Sequence, residues 1–204
     1  MKKVLAIVAL VAAMFVAGKV QAQSMIYAGY APETFVQTVG NSTSTSEYQG
    51  FCAGFSQNFG LSKGFGLAAG AQFRMNTKSE SNTILGVTTT TKNSQFLVDV
   101  PILFNYGIGI NRDITITPFV GPMVSLALAG NTKVSVGSNT TTSDWYGDNS
   151  RMNRFNLYAV FGADVKFNQF NLFGGYRLGL LDLNSSDNIT LKVNGLFVGL
   201  GYTL

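Results

Sequence analysis

The chain has 204 residues, of which 12% are charged and 46% hydrophobic, with 23 glycines, one cysteine and no histidine. A lone cysteine and no histidine exclude an internal disulfide, a cysteine metal cage, and histidine-based metal ligation or acid–base catalysis, and the hydrophobic content excludes a disordered chain. Charge at half the roughly 25% usual for soluble domains, with a wealth of Gly, Ser, Thr, Asn and aromatics, points to a β-rich protein whose outer face meets something other than water.

Residues 1–22 read as a secretory signal peptide. Lys2 and Lys3 form a positive start, an apolar run follows from Val4 to Ala17, and Val20-Gln21-Ala22 offers small side chains before a cut. The run is too short for a comfortable membrane helix of roughly 20 residues. No cysteine follows the cut, which argues against a lipoprotein. Removing Lys2, Lys3 and Lys19 turns 14 basic residues into 11 against 10 acidic ones, a net charge of +1. The basic pI is thus partly a property of the leader and carries no nucleic-acid footprint. The second unit is residues 23–204. Its lone Cys52 reads as a small buried filler, with pairing between chains as the other option.

The remainder alternates apolar and small or polar residues with period two, the strand signature. Two weaker strands come first, at 25–31 and 48–59. Between 64 and 76, Phe65, Leu67, Ala69, Ala71, Phe73 and Met75 form the apolar row. At 95–106 the row is Phe96, Val98, Val100, Ile102, Phe104 and Tyr106. At 114–128 it runs from Ile114 to Leu128 on even numbers. At 155–167 it holds Phe155, Leu157, Phe161, Val165 and Phe167, and at 170–180 it holds Phe170, Leu172, Tyr176, Leu178 and Leu180. The last strand carries Leu196, Val198, Leu200, Tyr202 and Leu204. Short connections (60–63, 107–113, 168–169) alternate with long Ser/Thr/Asn-rich ones (32–47, 77–93, 130–154, 184–190). The predicted fold is all-β, an eight-stranded antiparallel up-and-down transmembrane β-barrel.

Charge placement supports lipid on the apolar face. Arg74, Asp99, Asp164, Lys166 and Arg177 lie inside strands, and all five fall on the row opposite the apolar one. A charge facing lipid near mid-bilayer costs roughly 2–4 kcal/mol. A soluble sandwich or a lipocalin-like barrel would show the same alternation turned inside out. Two further features favour the membrane. Phe59, Phe65, Phe104, Tyr106, Phe167 and Phe170 cluster beside the short turns, with Phe73, Phe96 and Phe155 toward the other ends, as paired interfacial girdles would. The inner row is Gly, Ala, Ser, Thr and Asn rather than the Lys and Glu of a soluble surface.

FLVDVPILFNYG, ITPFVGPMVSLALAG and NLYAVFGADVKFNQFNLFGGYRLGLLDL are similar to successive segments of the PorT-like outer-membrane β-barrel family, and in plan the chain resembles OmpX- and Opa-like small barrels. The resemblance runs from about residue 24 to the end and implies residence in the cell outer membrane. It carries over no enzymatic residue. The C-terminal strand resembles the signal read by the barrel-insertion machinery, although its last residue is Leu204 rather than Phe.

The side chains of an eight-stranded barrel suffice to fill it, so the expectation is a filled lumen with Arg74, Asp99, Asp164, Lys166 and Arg177 as its polar network. Asp99 and Arg177, each seven residues above the short-turn end, are expected to pair, with Arg74 nearer the outside. GFGLAAG is no phosphate loop, since it lies in a strand and lacks the Lys-Ser/Thr ending. Trp145 and Tyr146, in the longest loop, are candidate contacts for a protein partner, set against simple packing on the rim. The expected function is therefore a non-enzymatic outer-membrane barrel with a structural or surface-interaction role through its outer loops, in contact with outer-membrane lipid and without cofactor, metal or nucleic acid. The alternatives are a component of a protein-secretion apparatus and a narrow channel.

Overall fold

The computed structural model describes residues 22–84, 86–146, 152–184 and 188–204. The expected signal peptide lies, apart from Ala22, outside the described residues. The strands are β1 (Ala22–Tyr30), β2 (Glu33–Val39), β3 (Ser42–Ser62), β4 (Phe65–Ile84), β5 (Val87–Tyr106), β6 (Ile108–Gly109), β7 (Ile114–Val136), β8 (Asn139–Asp144), β9 (Phe155–Phe167), β10 (Phe170–Gly179) and β11 (Ile189–Thr203). There is no helix among the described residues.

Eight walls close into a ring. β1 and β2 form one wall, because both pair with β3 on one side and β11 on the other. The break between them falls at Ala31 and Pro32, where the proline has no N–H to give a ladder. The order β3, β4, β5, β7, β9, β10, β11 completes the ring, antiparallel throughout. Closure removes the free edges that an open sheet would present.

The apolar rows face outward. Phe73 is 69% exposed and Leu200 68%, values tolerable only against lipid when dozens of such side chains form a continuous belt. The belt is edged by aromatic pairs at the short-turn end, with Phe65 4.8 Å from Tyr106 and Phe170 5.5 Å from Tyr202 between ring centroids.

The strands outrun the sequence expectation. Three segments expected as long loops are mostly two-stranded ribbons: β2–β3, β4–β5 and β7–β8 continue in register beyond the apolar belt. Hydroxyls pair across them: Thr38 with Thr43 (3.2 Å), Ser81 with Thr90, Thr83 with Thr88 and Ser135 with Thr140 (each 2.9 Å). Threonine is β-branched and favours strands, so these Ser/Thr runs are hairpin arms rather than coil. Gly40, Gly86 and Gly137 sit at the three tips with φ of 57°, 78° and 59°, the left-handed region that a two-residue turn requires.

A second departure lies in β7. Phe96 pairs with Ala129 and Leu97 with Ala127, so Leu128 is an extra residue in the ladder. The bulge shifts the inside–outside alternation above it, and Gly130 becomes buried.

Candidate functional site

The alternation that turns the apolar row to lipid turns the other row into the lumen, which has three layers. The middle layer is polar and dry. Arg74 on β4 and Asp99 on β5 are 1% and 0% exposed. Arg74 Nε donates to Asp99 Oδ2 at 2.8 Å, and its NH2 nitrogen donates to Oδ1 at 3.0 Å. Gln72 Nε2 donates to Asp99 Oδ2 (2.7 Å) and Ser125 Oγ to Oδ1 (2.5 Å), so the carboxylate accepts from side chains on two neighbouring walls. Arg74 also forms an ion pair with Glu33 of β2, and Asn76 Nδ2 donates to the same glutamate. Tyr158 of β9 donates to Glu33 Oε1 from across the ring, at 3.3 Å. The polar groups thus connect β2, β4, β5, β7 and β9 across the lumen. Buried charges need such saturation, since an unpaired one costs several kcal/mol.

Arg177 of β10 is equally buried but is not the partner of Asp99. Its NH2 nitrogen donates to the carbonyls of Ala31 (3.3 Å) and Leu196 (3.4 Å), and its guanidinium lies 5.6 Å from the Phe197 ring centroid. The expected Asp99–Arg177 pair gives way to Asp99–Arg74 because β4 and β5 are adjacent walls. Gln72 is directly opposite Asp99, and Arg74 is only one lumen step further along. The break at Pro32 meanwhile leaves the Ala31 carbonyl free for Arg177. Asp164 and Lys166 stand apart near the short-turn mouth. Asp164 Oδ2 accepts from Asn171 (2.7 Å) and Lys166 Nζ donates to Gln23 (3.2 Å).

Glu33 was absent from the sequence expectation because 32–47 read as a loop. Its signal was a carboxylate one residue after a proline that interrupts a strand without ending it.

The outer layer is apolar. Phe35, Tyr48, Leu183 and Val193 form a buried cluster, and Trp145, Met152 and Leu191 pack against it. The Trp145 ring is 6.4 Å from Phe35 and 6.3 Å from Tyr48, edge to face, and its Nε1 donates to Thr132 Oγ1 at 2.7 Å. Gln95 Nε2 donates to the Tyr146 hydroxyl at 2.5 Å, and the Arg154 guanidinium lies 4.8 Å from that ring. Burial pushes the Tyr146 hydroxyl up, against the opposing effects of the Gln95 hydrogen bond and of Arg154. Trp145 and Tyr146 therefore pack over the lumen mouth. A shallow cleft of about 400 Å³ remains beside Trp145, Tyr48 and Phe35.

The inner layer is open. A cavity of about 850 Å³ reaches from beneath the polar layer to the short turns, which corrects the expectation of a lumen filled along its length. Part of its wall is small or short residues such as Ser56, Ala68, Thr115 and Thr117, and these leave the space that larger inward side chains would occupy.

The model for the outer membrane protein beta-barrel domain matches residues 18–185. The chain belongs to that family. It is an outer-membrane barrel, and it lies in the lipid of that membrane. Among solved structures, it is similar to Ail, the attachment invasion locus protein of Yersinia pestis, at 18% identity over 90% of this chain and 99% of that one, with a TM-score of 0.42. Neisserial surface protein A follows at 12% identity, 88% and 97% coverage and a TM-score of 0.47. A major outer membrane protein from Thermus thermophilus gives 12% identity, 90% and 99% coverage and a TM-score of 0.46. No curated protein matches the sequence.

Proposed function

We propose that this protein is a non-enzymatic barrel, closed to solutes, that makes contacts at the cell surface through its outer hairpins. The observation that carries the reading is the Arg74–Asp99–Glu33 cluster, fully buried and tied to five walls, with the aromatic layer above it. A lumen occupied in this way passes no stream of water. Absence of histidine removes the usual general base. What projects from the membrane is instead rigid and polar: the β4–β5 and β7–β8 ribbons lie side by side as one sheet, since β5 pairs with β7 up to Val136. Short turns face the periplasm in such barrels and long connections the exterior, so this sheet stands outside. The leader of residues 1–22 directs export, and the C-terminal strand is offered to the insertion machinery.

The test is site-specific photocrosslinking in intact cells, with the crosslinker at Thr90, at Thr141, or at Leu200 in the lipid belt. Discrete adducts from the two hairpin positions that Leu200 does not give are the expected outcome. Adducts absent from both hairpins would contradict the surface-contact reading.

A further inference from the structure

We propose that the inner cavity is a binding pocket, entered from the short-turn end, for a small neutral compound with an aromatic body and a carbonyl oxygen. Its volume, about 850 Å³, lies within the roughly 300–1,000 Å³ of small-molecule sites. Its deep end is apolar. Phe119, Phe173 and Phe197 form a shelf across the lumen, with Phe119 stacked on Phe197 at 6.3 Å and Phe173 6.3 Å from Phe197. Met25, Met123 and Val160 line the same cavity. A flat ring fits such a surface in offset or edge contact.

The polar requirement comes from Arg177. It lines this cavity, is 1% exposed, and its Nε has no hydrogen-bond partner among the described residues. A buried donor left unmade is costly, and an oxygen acceptor lying over the shelf completes it. Charge decides which acceptor. Among the described residues, the buried charged side chains are Glu33 and Asp99 against Arg74 and Arg177, two of each sign, so the lumen centre beside the shelf is already neutral; the cavity's other charged lining residues, Lys63, Arg112, Asp113, Asp164 and Lys166, lie toward the short-turn mouth. A carboxylate would add an uncompensated charge, whereas a carbonyl supplies the acceptor without one. The outer layer closes the other route of entry.

Benzamide is the probe, titrated into the folded barrel in micelles with ¹³C-methyl methionine labels. Met25 and Met123 line the cavity, and Met75 lies on the lipid-facing row as an internal control. The expected result is a saturable shift of Met25 and Met123 with Met75 unmoved, and with benzoate and benzylamine at least about tenfold weaker. Thr117→Trp, which fills the cavity wall, abolishes the shift while heat-modifiable gel migration persists. Arg177→Lys, which loses Nε but keeps the charge, weakens it. Met75 moving in step, a shift that never saturates, benzoate binding as well as benzamide, or unchanged binding in Thr117→Trp would each overturn the assignment.

Discussion

Arg74 holds both carboxylate oxygens of Asp99, Nε on Oδ2 at 2.8 Å and the NH2 nitrogen on Oδ1 at 3.0 Å, with neither residue more than 1% exposed. The pair is diagonal across β4 and β5 on the lumen face, a geometry in which a long side chain reaches the next wall without strand distortion. Removing Arg74 strands two carboxylates, Asp99 and Glu33, in a dry site. Arg74→Met is expected to lower folding stability by about 3–5 kcal/mol, and Asp99→Ala by less, because Arg74 then keeps its ion pair with Glu33. Urea unfolding in lipid vesicles, followed by gel migration, measures both.

The lipid face makes the opposite demand. Val120 lies midway along the outward row of β7 and is 57% exposed. Val120→Arg is expected to cost roughly 2–4 kcal/mol, as a charge at mid-bilayer does. The same substitution at Thr117, which lines the inner cavity, is expected to cost far less, because water and lumen groups are within reach there. The same unfolding assay separates the two.

Gly162 and Gly175 face each other on β9 and β10. A Cβ on Gly162 would come 2.7 Å from Phe119 Cζ and closer still to the Gly174 carbonyl oxygen, and one on Gly175 would come 2.7 Å from Phe197 Cζ and closer still to the Phe161 carbonyl oxygen. These glycines let the two strands approach and make room for the aromatic shelf. Gly175→Ala is expected to push β10 away from β9, displace Phe197 and destabilise the barrel by about 1–3 kcal/mol, the range for overpacking. Shifted backbone resonances along β9 and β10, together with those of the Phe197 ring, check this.

The single tryptophan of the chain reports the outer layer directly. Trp145 packs among Phe35, Tyr48 and Tyr146, so its fluorescence is expected to be blue-shifted and shielded from added iodide. Tyr146 adds a pH dependence. Its hydroxyl titrates above the ordinary tyrosine value, so the folded state favours the neutral form. Relative to the unfolded chain, the folded state is unaffected by this group below about pH 10, the unfolded value, and loses stability as pH rises from there through the higher folded one. Trp145 emission is expected to shift red over that alkaline range in the native protein and to shift less in Tyr146→Phe, where Tyr48 still packs on the indole.

Much of this architecture was legible in the residues. Period two marked the lipid row from Phe65 to Met75 and from Leu196 to Leu204, and the inward parity of Arg74, Asp99 and Arg177 followed from it. Pairing was not legible, because parity gives the side of the wall but not the stagger between walls, and stagger decided that Asp99 meets Arg74. Thr-rich arms such as 87–94 read as loops because both of their faces meet water and no apolar row marks them. Glu33 was hidden by the proline before it, and Leu128 by a bulge that no local pattern announces.

The lumen's proposed closure to solutes is tested most directly by planar-bilayer conductance of the purified, folded protein. The expected trace shows no unitary steps for the native chain, and steps appearing once Glu33, Arg74 and Asp99 are all replaced by alanine. Steady unitary conductance from the native protein, unchanged by that triple replacement, would contradict it.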